Sequence, residues 1–215
     1  TFLCTGAVRR MKRYFDAGDV GDVYYYDSTR INLGLFQSET NVIWDLAPHD
    51  VAVMLHLLEQ PVRSVSAFGA SHLTGHENIA YLTLQFDSQL LAHFHVNWLA
   101  PAKVRRTIIG GSKRMLVYDD MEMDDKLKVY DSGAHLCASK EDIYRKLVEY
   151  RTGDVLVPKL EKQEALAVEA KHFGRVVRGL EAPISGAALG VAVVKVIEAA
   201  QESLHRGGIP VEVAR

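Results

Sequence analysis

A chain of 215 residues, 48% hydrophobic and 24% charged, can bury a substantial core as one large domain or two small ones. Its formal net charge of −2 excludes the basic excess expected of a nucleic-acid binder, and short clusters such as Arg9-Arg10 and Arg105-Arg106 read as solvated faces. No run approaches the roughly 18 apolar residues of a membrane span and no signal peptide is visible; two distant cysteines, Cys4 and Cys137, form neither a zinc spacing nor a disulfide framework and fit a reducing cytoplasm.

The opening Thr1-Phe2-Leu3-Cys4 lacks Met and reads as the tail of an apolar strand, so the chain is expected to be a fragment of a longer protein. Residues 5–17 place Val8, Met11 and Phe15 at helical spacing, with Gly18 as a C-cap. Residues 23–33 read as a strand with Tyr24, Tyr26, Ser28, Arg30 and Asn32 on one face, and residues 34–41 as a polar loop. From Trp44 to about Glu59 the apolar positions predict a helix that Pro61 terminates. Strands are predicted near 62–71, 78–86, 89–98, 103–110, 113–118 and 126–131, with tight hairpins at 86–89 and 110–112. The stretch 132–152 is not assigned. Two helices close the chain. Residues 161–180 carry the stripe Leu166, Ala170, Phe173, Val177 and Leu180; residues 187–205 carry Leu189, Val193, Val196, Ile197, Ala200 and Leu204, with Ser185 as N-cap. The expected fold class is α+β, an open and mainly antiparallel sheet with helices packed on one face, as a single domain over 1–215. No strand–GxGxxG–helix unit and no Walker loop is present, so no nucleotide-binding unit is expected within these residues.

The segment Trp44-Asp45-Leu46-Ala47-Pro48-His49-Asp50 is the most informative for chemistry. Four residues apart on a helix, Asp45 and His49 project from one face of its first turns, where the positive helix end favours carboxylate and neutral imidazole. A neutral His beside an Asp is a proton acceptor for a hydroxyl near neutral pH. Spacing alone leaves a second reading open, in which Asp45 caps the helix and His49 is a satisfied histidine. A rival signal is His93-Phe94-His95, whose imidazoles share a strand face and could ligate a metal in a cupin-like site; no third ligand stands at a telling spacing, and no metal site is expected. A third reading is a non-catalytic binding or oligomerisation module, since the face carrying Tyr81, Leu91, Val104 and Ile108 is left without a helical cover.

The ordered string Ala7-Val8-Arg9-Arg10-Met11, Gly18-Asp19-Val20-Gly21-Asp22-Val23, Trp44-Asp45-Leu46-Ala47-Pro48-His49-Asp50, Val62-Arg63-Ser64-Val65 and Pro183-Ile184-Ser185-Gly186 resembles the C-terminal domain of the glucose–fructose oxidoreductase / inositol dehydrogenase / MocA family. The resemblance runs along essentially the whole chain. It implies an NAD(P)-dependent sugar dehydrogenase in which a preceding Rossmann domain binds NAD or NADP and supplies a lysine. This domain would supply His49 and Asp45, bind the sugar, and form a homodimer or homotetramer through its open sheet. Lacking the Rossmann half, the fragment alone is expected to be inactive. The wording around His49 looks most like members acting on UDP-sugars. Softer substrate contacts are Arg30 and Asn32 on one strand face, Asn41 and Trp44 beside the Asp45 turn, and Asn97 at a strand end.

Overall fold

The computed structural model describes residues 1–34, 36–73, 75–136 and 148–214. Its first element is a 3-10 turn, Phe2–Cys4, rather than the strand end that its apolar character suggests; Leu3 and Cys4 are apolar because they are buried beneath the helices. In α1 (Gly6–Asp16), the Thr5 hydroxyl accepts from the Val8 amide and so satisfies one of the free N–H groups of the first turn. Val8, Met11 and Tyr14 turn inward. Gly18 then adopts φ +67°, a left-handed backbone that a residue without Cβ takes with least strain.

Strand β1 (Val23–Leu33) buries Tyr26, Ser28 and Arg30 on alternate positions. Helix α2 (Val42–Leu58) starts ahead of the expected Trp44, because Asn41 caps it: the Asn41 side-chain oxygen accepts from the amides of Ile43 and Trp44. Pro48 consequently lies inside the helix and not in its first turn, so its missing N–H leaves the Trp44 carbonyl without its helical partner. Then come β2 (Val62–Ala70), β3 (Ile79–Phe86), β4 (Leu91–Asn97), β5 (Leu99–Gly111), β6 (Met115–Asp119), β7 (Leu127–Leu136) and β8 (Val148–Leu156), followed by α3 (Ala165–Val177), α4 (Ala187–His205) and β9 (Val211–Glu212). Of the unassigned stretch 132–152, residues 132–136 belong to β7 and residues 148–152 to β8, which pair antiparallel; residues 137–147, with Cys137, lie outside the described residues.

The strands form one sheet in the order β8-β7-β6-β5-β1-β4-β3-β2-β9. Hairpins make most pairings antiparallel; β1 and β4 run parallel because α2, β2 and β3 form the crossover between them. Register aligns a buried row across seven strands: Val65, Leu84, Ala92, Tyr26, Ile109, Leu116 and Val129. Helices α2 and α4 cover this face. Ser203 pins α4 to the sheet edge by accepting from the Ala67 amide and donating to the Ile209 carbonyl. The opposite face bears Tyr81 and Leu91, both exposed, and no described helix covers it. The expected fold class therefore stands.

Two helical expectations are corrected. The N-cap of α4 is Gly186, with no side-chain bond, and not Ser185. The other concerns α3, which is shorter than 161–180 and buries only His172. The Leu166–Leu180 stripe, whose spacing suggests a core contact, faces outward.

Candidate active site

Helix α2 brings Asp45 and His49 to the rim of the covered face, on its first turns. Asn41 sets that start. Besides capping, its side-chain nitrogen donates to Glu77 Oε2 at 3.0 Å and Gln201 Oε1 at 2.7 Å, which ties the helix to the β2–β3 connection and to α4. Asn41 is buried and used in these bonds, and beside Trp44 it lines a polar depression.

Asp45 Oδ2 accepts from the Trp98 indole Nε1 at 2.9 Å. Trp98 is almost wholly buried, with Phe36 edge-on to its ring at 5.7 Å. A buried indole N–H needs an acceptor, and meeting that need fixes where the Asp45 carboxylate stands. Asn32 projects on the same face near this edge: its amide lies 2.6 Å from where a Cβ on Gly34 would be, and Trp98 Cδ1 is 3.6 Å from that point. Asn32 therefore stands near Trp98, which holds Asp45.

His49 is exposed, yet its ring rests on Phe2, centroids 5.2 Å apart. Beneath Phe2 lies Arg30, its guanidinium carbon 4.8 Å from that ring. Arg30 makes a two-pronged pair with Asp50, Nε–Oδ2 at 2.9 Å and Nη2–Oδ1 at 2.6 Å. Both partners are buried. Burial opposes the Arg30 charge, but the Asp50 bonds and charge outweigh it and raise its pKa. The expectation that Arg30 reaches a ligand from an open strand face is corrected by this packing: β1 turns it inward, and Asp50 claims its fork. A stack thus runs from Asp50 through Arg30 and Phe2 to His49. Partial burial lowers the His49 pKa, and the Arg30 charge lowers it further, against the opposing pull of Asp50 and Asp45. Burial and Arg30 thus favour the neutral imidazole. Beside it opens a cleft of about 240 Å³ lined by Phe2, Pro48, Ala52, Ser185 and Leu189.

Trp44 points elsewhere. It borders a polar depression of about 340 Å³ with Glu39, Glu77, Gln201 and His205, on the side of α2 facing the end of α4. Asn97 is not brought to the site: its register with Ile31 and Ile79 places it on the open face, and its oxygen accepts from the Leu99 amide. His93 and His95 share that open face, where Tyr81 stacks on His95 at 4.4 Å. Among the described residues no group of three His, Cys, Asp or Glu could hold a metal ion, and no helix is long and apolar enough to cross a membrane. Sequence reasoning missed Asp50 and Trp98 as parts of the site. A signal existed for Asp50, since an acid on the apolar stripe Ile43, Ala47, Met54 and Leu57 must find a buried cation.

The family model described as the GFO/IDH/MocA C-terminal domain matches residues 8–117, which contain α1, α2 and the Asp45–His49 turn. No curated protein matches the sequence. Among solved structures, UDP-N-acetylglucosamine 3-dehydrogenase from Acidithiobacillus ferrooxidans shares 19% identity over 94% of this chain and 60% of its own, with a TM-score of 0.71. An NAD binding oxidoreductase from Klebsiella pneumoniae shares 16% over all of this chain and 66% of its own, TM-score 0.76. Levoglucosan dehydrogenase in complex with NADH and levoglucosan shares 15%, again over all of this chain and 65% of its own, TM-score 0.77. At these identities the likeness is one of fold, and this chain spans roughly three-fifths to two-thirds of the compared lengths. With about half of its residues inside the matching model, the site-bearing half included, the chain belongs to the GFO/IDH/MocA family through that family's C-terminal domain.

Proposed function

We propose that this chain is the substrate-binding and acid–base domain of an NAD(P)-dependent oxidoreductase that oxidises a sugar hydroxyl, or the reverse. His49 takes the hydroxyl proton on its neutral imidazole as the carbon–hydrogen bond delivers its electron pair outward and the carbonyl forms. Asp45, held by Trp98, orients the sugar or shares the proton transfer. Asn32 contacts the sugar from the Gly34 edge. NAD or NADP, when bound, supplies the hydride acceptor; a site that moves a proton but holds no redox-active side chain is suited to such a partner. The sequence has no phosphate-cradling glycine turn, so the cofactor is held by a preceding domain and the 215 residues alone are inactive.

The observation that carries this reading is the exposed His49, its ring packed on Phe2 over a buried cation and lowered in pKa, one turn from an anchored carboxylate. A UDP-linked sugar is the favoured substrate class, supported by the fold likeness to the Acidithiobacillus enzyme. The test is NAD(P)-linked oxidation by the protein made from its gene's own start codon, with UDP-N-acetylglucosamine and levoglucosan as probes. His49→Ala should lower kcat by about 10²–10⁴-fold, the usual worth of a positioned acid–base group. Unchanged kcat would remove His49 from the chemistry. The exposed Tyr81 and Leu91 favour an added role for the open face, pairing two copies into a homodimer or homotetramer in the cytoplasm.

A further inference from the structure

The turn between α3 and α4 has little burial to hold it. Every residue from Arg178 to Ser185 is exposed, so the apolar contacts that fix α2 and α4 on the sheet do not act here. A buried side chain beneath the turn does the holding. The Ile184 amide donates to His172 Nε2 at 3.1 Å, and His172 Nδ1 stands 2.8 Å from Glu181 Oε2. A backbone N–H can only donate, so Nε2 accepts; the ring is neutral, with its proton on Nδ1 and donated to Glu181. Arg175 Nε donates to the other Glu181 oxygen at 2.6 Å. That bond first, and His172 second, holds the Glu181 carboxyl below its usual range. One imidazole thus ties α3 to both ends of the segment 181–184.

The clasped segment leads straight into the His49 cleft. Ser185, the residue after Ile184, lines that cleft together with His49. Its hydroxyl is not spent on capping α4, whose N-cap Gly186 has no side-chain bond. Most of the remaining wall is apolar, with Phe2, Pro48, Ala52 and Leu189, so besides His49 few groups there can bond a sugar hydroxyl. We infer that His172 is a positioning residue for the proposed sugar oxidation: it holds the α3–α4 turn so that Ser185 meets the substrate in the His49 cleft. The inference rests on the dehydrogenase reading for its substrate, and adds a contact and the support behind it. A contact made equally in the bound sugar and in the transition state shows itself in KM more than in kcat.

Amide exchange and steady-state kinetics test it on the protein made from the gene's own start codon, with UDP-N-acetylglucosamine and levoglucosan as sugar probes. His172→Phe keeps a ring but offers no acceptor. Exchange at the Ile184 amide should quicken about tenfold, and KM for the sugar should rise about fivefold, the scale of one hydrogen bond, with a smaller change in kcat. His172→Gln, whose amide supplies both an acceptor and a donor, should restore both values. Ser185→Ala should raise KM to a similar extent, and adding His172→Phe to it should raise KM little further, because the two act through one contact. Faster exchange with an unchanged KM overturns the positioning role and leaves the dehydrogenase reading standing. Unchanged exchange in His172→Phe removes the clasp itself. A KM rise that adds in full to that of Ser185→Ala gives His172 a separate effect, which also contradicts the inference. Oxidation of neither probe by the unaltered protein overturns the dehydrogenase reading and this inference with it.

Discussion

Helices α2 and α3 carry the same kind of sequence signal and end in opposite situations. Each has apolar residues at helical spacing; in α2 they disappear into the core, with Ile43, Ala47 and Met54 fully buried, while in α3 they stand in solvent. Periodicity states that a helix has an apolar face, and says nothing of what will cover it. The covered helix also holds the two ionisable groups of the candidate site in place. Asp45 is fixed by Trp98, and His49 by Phe2 and the Arg30–Asp50 pair. Precision at a site is obtained by packing behind it, and α3, lacking such packing on its outer face, bears no comparable group there.

The contrast can be broken most forcefully at Arg30. Replacing it by Met leaves Asp50 charged and unpaired beneath α2, which should cost about 3–5 kcal/mol in urea unfolding. The double variant Arg30→Met with Asp50→Leu should recover most of that, because both buried charges are then gone. Close behind in size, Met54→Ala on α2 should cost about 2–5 kcal/mol through a buried cavity. Phe173→Ser on α3, tested in the 215-residue chain, should change stability by less than about 0.5 kcal/mol, as for a surface position. Equal losses at Met54 and Phe173 would mean that α3 is packed after all.

Trp98→Phe keeps the ring and deletes the N–H that Asp45 accepts. A stability loss of about 1–2 kcal/mol is expected, since a bond to a charged but partly solvated acceptor is removed; no loss would show that water replaces the indole without penalty. The smallest effect concerns pH. The folded His49 pKa lies below its ordinary 6.5, so between those two values the unfolded chain binds more protons than the folded one. Stability contributed by the neutral imidazole is therefore present above 6.5 and is lost as pH falls toward the folded value. The pH dependence of unfolding between 7.5 and 5 should flatten slightly in His49→Gln.

Much of the fold was legible because alternation and turn chemistry mark each strand: Tyr26, Ser28 and Arg30 on one face of β1, and the Gly110-Gly111-Ser112 hairpin, need no partner to be recognised. The Asp45–His49 pair was legible from spacing together with the family string. What was hidden depends on long-range contacts. That Arg30 turns inward follows from an acid twenty residues later on the buried stripe of α2. That Trp98 anchors Asp45 requires β4 and α2 to be neighbours. The turn at Phe2–Cys4 reads as a strand because short apolar runs have no period to betray them. Asn97 was misplaced for a simpler reason: its position in the sequence marks a strand end, and only register tells which face it occupies.

The most direct test of His49 as the proton acceptor is the pH profile of kcat/KM for NAD(P)-linked oxidation of UDP-N-acetylglucosamine or levoglucosan by the protein made from its gene's own start codon. The acid limb should fall away with an apparent pKa below 6.5, move upward in Arg30→Gln as the nearby positive charge is lost, and vanish from the residual activity of His49→Ala. An acid limb that survives unchanged in His49→Ala would place the acid–base group elsewhere and leave α2 with a structural role alone.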